Sequence, residues 1–187
     1  MQPFQSSNPV DPNPQFPLRK RVTDLTERFQ LRFAQQAAVL LDGFAGICVQ
    51  QSASGLVLMA VAERDLDAAI TMIQIAFPAL RCGPVEVLLL DDGTMEPYVR
   101  VRVTTPEEHY RDVVGQLRDR HASIESADNM DRRSKTVTAI APLSQLLGLD
   151  AVLASATKNR ATADYAFVDY RPMSREPGPP RNPAAKA

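Results

Sequence analysis

"EPYVRVRVTTPEEHYRDVVGQLRDRHASIES", residues 96–126, changes its hydrophobic period twice. Over Tyr98–Val103 apolar and basic residues alternate, the pattern of a strand with one face buried and the other open. Further on, Tyr110, Val113, Val114 and Leu117 recur at helical spacing, so this part predicts an amphipathic helix. Thr105 suits the N-cap, Pro106 the first helical position and Glu108 the third, which sets the expected helix start. "SIES", residues 123–126, returns to strand.

Reading toward the C-terminus, "ADNMDRRS" (127–134) is a polar loop and "KTVTAIAP" (135–142) a strand. "LSQLLGLDAVLASAT" (143–157) is helical, with a break at Gly148 where Asp150 can recap it, and "ATADYAFVDY" (161–170) is a closing strand. The order strand, helix, strand, strand, helix, strand is the split β-α-β, or ferredoxin-like, arrangement.

The upstream half repeats this order less clearly. Val22, Leu25, Phe29, Phe33, Ala37, Leu40 and Leu41 predict a helix over 22–41, with Asp24 and Glu27 spaced as a capping box and Gly43 as the stop. "GICVQQ" (46–51) and "LVLMAV" (56–61) are strands joined through a "SASG" turn. Leu66, Ile70, Ile73 and Phe77 mark a helix ended by Pro78, and "PVEVLLLDD" (84–92) is a strand. A first strand near Phe16–Leu18 is short and interrupted by proline. The expected fold is α+β: two ferredoxin-like sandwiches in tandem, over residues 18–92 and 96–171. Proline-rich segments 1–17 and 172–187 are expected to be flexible tails.

A chain of 187 residues with 44% apolar and 23% charged side chains can bury a core. It has no tryptophan, and its net charge is −1. Between residues 34 and 95, Arg64 and Arg81 face Asp42, Glu63, Asp65, Asp67, Glu86, Asp91 and Asp92, so a polyanion is expected to avoid this half. Nucleic-acid contact is left to the second half or to the basic N-terminal arm. Acids and bases balance over 96–171. Cys48 and Cys82 read as buried thiols of a reducing compartment rather than a disulfide or zinc site. The sequence has no apolar leader and no run long enough to span a bilayer, so a soluble, cytoplasmic protein is expected.

Residues 96–126, quoted above, resemble the start of the last domain of bacterial elongation factor G. That family has a strand running into a Thr-Pro-Glu-Glu helix start, an aliphatic helix and a Gln-Ile-Glu-type strand. The likeness continues through "KTVTAIAPLSQLLGLDAVLASATKNRATADYAFVDY" (135–170), so it covers roughly residues 96–171. More weakly, "VLMAVAERDLDAAITMIQ" (57–74) is similar to the Gly-Glu-Leu-His-Leu-Glu segment of the family's third domain, with Ala62 for the glycine and Asp65 for the histidine. Departures are plain. No G-x-x-x-x-G-K-[ST] phosphate loop occurs in the sequence, and "DDGTMEP" (91–97) stands where the family inserts the domain that reaches the decoding site. "KNRA" (158–161) stands for a Gln-Gly-Arg-Ala turn, with Asn159 in the glycine slot, where asparagine tolerates a left-handed backbone.

The resemblance implies a module that docks by surface, without GTP hydrolysis, near the ribosomal stalk base and its RNA. The expected contacts are Arg118, Arg120, Arg132, Arg133, Lys135, Lys158 and Arg160, as charge-assisted donors to phosphate. His109 and His121 lie more than three helical turns apart, too far to share a metal, and read as structural. Glu107 and Glu108 read as first-turn charges that complement the helix dipole. No catalytic residues, cofactor, metal, nucleotide or membrane contact is expected. The partner is the ribosome, through its RNA or protein, or another protein; the alternative is an assembly subunit with no ribosomal role, with self-association left open.

Overall fold

The computed structural model describes residues 13–129 and 133–173. Its first half runs β1 (Leu18–Asp24), α1 (Gln30–Leu40), β2 (Ile47–Ser52), β3 (Gly55–Ala60), α2 (Glu63–Ala76) and β4 (Leu80–Val87). The second runs β5 (Met95–Pro106), a 3-10 turn (Glu107–His109), α3 (Tyr110–Asp119), β6 (Ser123–Asn129), β7 (Ser134–Pro142), α4 (Leu143–Leu146), α5 (Leu149–Thr157) and β8 (Thr162–Pro172). The sheets have orders β2-β3-β1-β4 and β6-β7-β5-β8, with every pairing antiparallel. Counted from the start of each half, the two orders are identical. Each half is a βαββαβ unit with its first strand inside the sheet, so the chain is two ferredoxin-like sandwiches in tandem.

Period-two strands explain the layering. Leu18 and Val22 of β1 and Leu56, Leu58 and Ala60 of β3 are fully buried, as are Phe33, Ala34 and Ala37 of α1 and Leu66, Ala69 and Ile73 of α2. Phe33 meets Phe77 edge-on, with ring centroids 5.1 Å apart. In the second half Val99, Val101, Val103, Val137, Ala139 and Ala141 form the buried sheet face, packed with Val113, Leu117, Leu149 and Leu153. Arg100 and Arg102 alternate with these valines and so lie on the open face.

The predicted helix over 22–41 is corrected: its first eight residues are strand and turn. Val22 pairs with Leu56 on one side and Cys82 on the other. The expected capping box is an Asx-type turn. One carboxylate oxygen of Asp24 accepts from the amide and the hydroxyl of Thr26, both at 2.6 Å, and from the Glu27 amide at 3.2 Å. Gln30 folds back to donate to the carbonyls of Asp24 (2.8 Å) and Glu27 (2.6 Å). Leu25 and Phe29 therefore lie outside the helix, each 66% exposed.

The Thr26 hydroxyl bond holds the Asp24 carboxyl below its ordinary 3.8, with burial pulling the other way and the Thr26 and Glu27 amides adding to the lowering. The ionised form thus stabilises the fold fully above pH 3.8, and that contribution disappears as pH falls through the lower folded value. Asp24→Ala is expected to cost about 1–2 kcal/mol at neutral pH. Urea titrations should show the gap between wild type and variant narrowing as pH falls below 3.8.

Several helix ends also differ from expectation. β5 extends through Pro106, so Thr105 is a buried strand residue rather than an N-cap, and the helix begins with a 3-10 turn. At the other end of α3, the His121 amide donates to the Arg118 carbonyl (2.9 Å) and the Ala122 amide to the Leu117 carbonyl (3.0 Å), with His121 at φ +56. This is a Schellman closure with histidine at the position glycine usually takes. His121→Gly is expected to raise stability by about 0.5–1 kcal/mol, read as a shift of the denaturant midpoint at unchanged m. Lys158 and Asn159 close α5 at φ +54 and +60, the left-handed turn expected of Asn159.

The halves meet at a narrow junction. Leu18, Val61, Ala62 and Glu63 face Leu143, Leu146, Leu147, Asp150 and Tyr165 around a cavity of about 10 Å³. Gly148 lies at φ +72, and its amide donates to the Glu63 carboxylate at 2.6 Å. Asp150, expected to recap this helix, instead accepts from the Tyr165 hydroxyl at 2.8 Å. Burial and the Asp150 charge push the Tyr165 phenol well above its ordinary ionisation range. Arg64 spans the junction, donating to the Ala163 carbonyl and to Asp164 at 2.9 Å. Of the expected N-terminal tail, the described part is tied down: the Pro14 carbonyl accepts from Tyr170 (3.1 Å) and the Pro17 carbonyl from the Leu88 amide (2.7 Å).

Candidate functional site

The fold brings distant parts of the second half to one end of its sandwich. β5 delivers Pro106 and then the 3-10 turn with Glu107, Glu108 and His109. The turn is pinned to the start of β7 by the Glu107 amide, which donates to the Arg133 carbonyl at 2.9 Å. The left-handed turn after α5 swings Arg160 to the same place. Pro106, Glu107, Glu108, Arg133 and Arg160 line an open depression of about 450 Å³.

Charges in this depression are interlocked. Lys135 reaches Glu107 at 3.0 Å, with its ammonium 4.8 Å from the centre of the Tyr110 ring. Arg160 forms an ion pair with Glu108 and donates to His109 Nε2 at 2.7 Å. A guanidinium can only donate, so His109 must accept at Nε2 and carry its proton on Nδ1, which lies 3.9 Å from Asp112. His109 thus orients Arg160 from a largely covered position, 15% exposed in its side chain.

Of the seven bases predicted from sequence, Arg133, Lys135 and Arg160 converge here, and Lys158 is exposed two residues from Arg160. Arg118 and Arg120 do not converge with them. They sit at the far end of α3, roughly 15 Å away at 1.5 Å per residue. Arg120 turns back onto the Gln116 side chain at 3.0 Å. Arg132 lies outside the described residues. Sequence reasoning missed the role of Glu107, Glu108 and His109 as partners of these bases. A local explanation, helix capping, was available for the two acids, and nothing in the sequence signals a pairing across 52 positions.

No three His, Cys, Asp or Glu side chains among the described residues are placed to hold a metal. No helix among them is long and apolar enough to cross a membrane. Cys48 is half-buried and Cys82 exposed, which corrects the expectation that both are buried. The site can offer and withhold positive charge, and its depression is wide and shallow.

The fold is that of a two-unit α+β protein, each unit ferredoxin-like. Residues 93–179 match the family described as "Elongation factor G C-terminus". Elongation factor G of Petrotoga mobilis (strain DSM 10674 / SJ95) is 35% identical over 83 residues, which are 44% of this chain and 12% of that protein. A crystal structure of a Thermus thermophilus protein superposes with a TM-score of 0.59 at 11% identity, covering 83% of this chain and 40% of that one. This last likeness is one of fold alone. The second half of the chain is thus similar to the C-terminal part of elongation factor G, the match spans about an eighth of that relative's length, and these 187 residues include no P-loop sequence.

Proposed function

We propose that this chain is a translation-factor-like module that binds the ribosome by surface contact in the cytoplasm, with Arg133, Lys135, Lys158 and Arg160 meeting ribosomal RNA phosphates. The observation that carries this reading is the gathering of Arg133, Lys135 and Arg160 at one end of a domain similar to the elongation factor G C-terminus. In this reading residues 18–92 correspond to the family's third domain and serve as its second sandwich. The depression has charged walls with paired acids and bases, and its ligand is held by exchange of ion pairs. Co-sedimentation with ribosomes should be strong at 50 mM salt and fall by orders of magnitude by 200 mM, because phosphate contacts release counterions. Pelleting that is absent, or indifferent to salt, contradicts the reading.

A second reading, assembly through apolar contacts, draws on α2. Ala68, Met72 and Ile75 form one exposed stripe of that helix, with Ile75 84% exposed. Light scattering across a hundredfold range of concentration separates the two, since only self-association makes the mass rise.

A further inference from the structure

β1 and β5 hold the same place in their sheets, and each carries an Arg-x-Arg pair on the open face: Arg19 and Arg21, Arg100 and Arg102. Their surroundings differ. In the second sheet Arg100 is bound by Glu125 at 2.8 Å, and Arg102 stands in register with Asp164 on the neighbouring strand. In the first sheet Arg19 and Arg21 join Gln50, Ser52, Ser54, Val57 and Glu86 around a depression of about 280 Å³. Arg21, Val57 and Gln50 are consecutive in one cross-strand row. Arg21 is exposed, donates to the Ser54 hydroxyl at 3.2 Å, and meets no carboxylate among the described residues.

We propose that this open face is an oxyanion site whose ligand is the phosphodiester backbone of an RNA strand, a proposal that rests on the ribosomal reading above. Arg19, Arg21 and Gln50 bring N–H donors to the lining, the Ser52 hydroxyl being held by the Gly55 carbonyl at 2.8 Å and bonded to Ser54 at 3.0 Å, and Arg21 can present its remaining N–H groups as a fork to two phosphate oxygens. The acids that make this half negative lie elsewhere. Glu63, Asp65 and Asp67 are on α2, Asp42 follows α1, and Asp91 and Asp92 lie between β4 and β5. Glu86 alone of them lines the depression, in register with Arg19 at its far side. The expectation that a polyanion avoids the first half is thus too coarse, because net charge says nothing about which layer carries it. With no aromatic side chain in the depression, the face grips backbone and not base, so binding should be indifferent to sequence.

The test uses the full chain and two probes, a mixed-sequence 12-nucleotide single-stranded RNA and inorganic phosphate, followed by amide NMR and fluorescence anisotropy. RNA should shift the Gln50, Ser52 and Ser54 signals saturably. Arg21→Ala should weaken RNA binding about fivefold to tenfold and reduce the salt slope by roughly one unit, Arg21→Lys should restore most of it, and Arg102→Ala should change little. RNA shifts that map elsewhere, an Arg21→Ala protein with unchanged affinity and slope, or signals that move with phosphate and not with RNA would each overturn the proposal. Failure of the ribosomal reading is separately visible, as RNA binding at this face without ribosome pelleting.

Discussion

Phe33→Ala is expected to destabilise the protein by about 3–5 kcal/mol, while Phe29→Ala, one helical turn earlier, should change stability by less than about 0.5 kcal/mol. Sequence periodicity places both rings on one helical stripe. In the structure Phe33 is fully buried against the Phe77 ring, whereas Phe29 is 66% exposed at the N-cap of α1. Truncating Phe33 removes its own burial, its edge-on partner and the packing between the two helices, and it leaves a cavity that a rigid sheet cannot close. For a chain of this size the loss corresponds to a fall in melting temperature of roughly 6–20 °C. Scanning calorimetry measures both variants directly. Equal effects at the two positions would restore the longer helix and contradict β1.

The double substitution Glu107→Gln, Glu108→Gln should tighten binding to ribosomes by about threefold to thirtyfold at low salt, and it should make the salt dependence steeper. In the free protein these carboxylates hold Lys135 and Arg160, and a phosphate must displace them or share the bases with them. Exposed ion pairs are worth about 0.2–1 kcal/mol each, and that amount is recovered by the ligand when the acids are neutral. Removal of two negative charges from the rim adds to the gain. The sign makes this test discriminating, since a substitution that merely damages the turn weakens binding. Equilibrium pelleting across a salt series reads both quantities. Unchanged affinity and unchanged salt slope in a double variant with the wild-type circular dichroism spectrum would show that the basic cluster faces no phosphate.

Much of the second half was legible because one strand, β5, keeps strict alternation and its helix keeps clean spacing. The same rule misled at residues 22–29. Val22, Leu25, Phe29 and Phe33 fit a helical stripe by coincidence of a strand end, a turn and a helix start. β1 itself was hidden by the charged run Arg19-Lys20-Arg21. Arg19 and Arg21 belong to an open face, and Lys20 points toward the helices, where its stem is covered and its ammonium reaches Asp67 at 3.5 Å. A central strand can therefore read as polar when one face is solvated and the other carries a long amphipathic side chain. The site was legible only as a set of bases. Which of them meet depended on Thr162–Pro172 pairing with β5 and on the left-handed turn at Lys158 and Asn159, both products of tertiary contact.

The central claim is that positive charge gathered beside the 3-10 turn of the second sandwich meets RNA phosphate. The most direct measurement is the slope of log affinity against log salt for ribosome binding, compared between wild type and Arg133→Ala, Lys135→Ala, Arg160→Ala in one chain. With three phosphate contacts removed, the slope should become shallower by about two to three units and low-salt affinity should drop by orders of magnitude, with the circular dichroism spectrum unchanged. Equal slopes in the two proteins, at any affinity, would place the contact elsewhere.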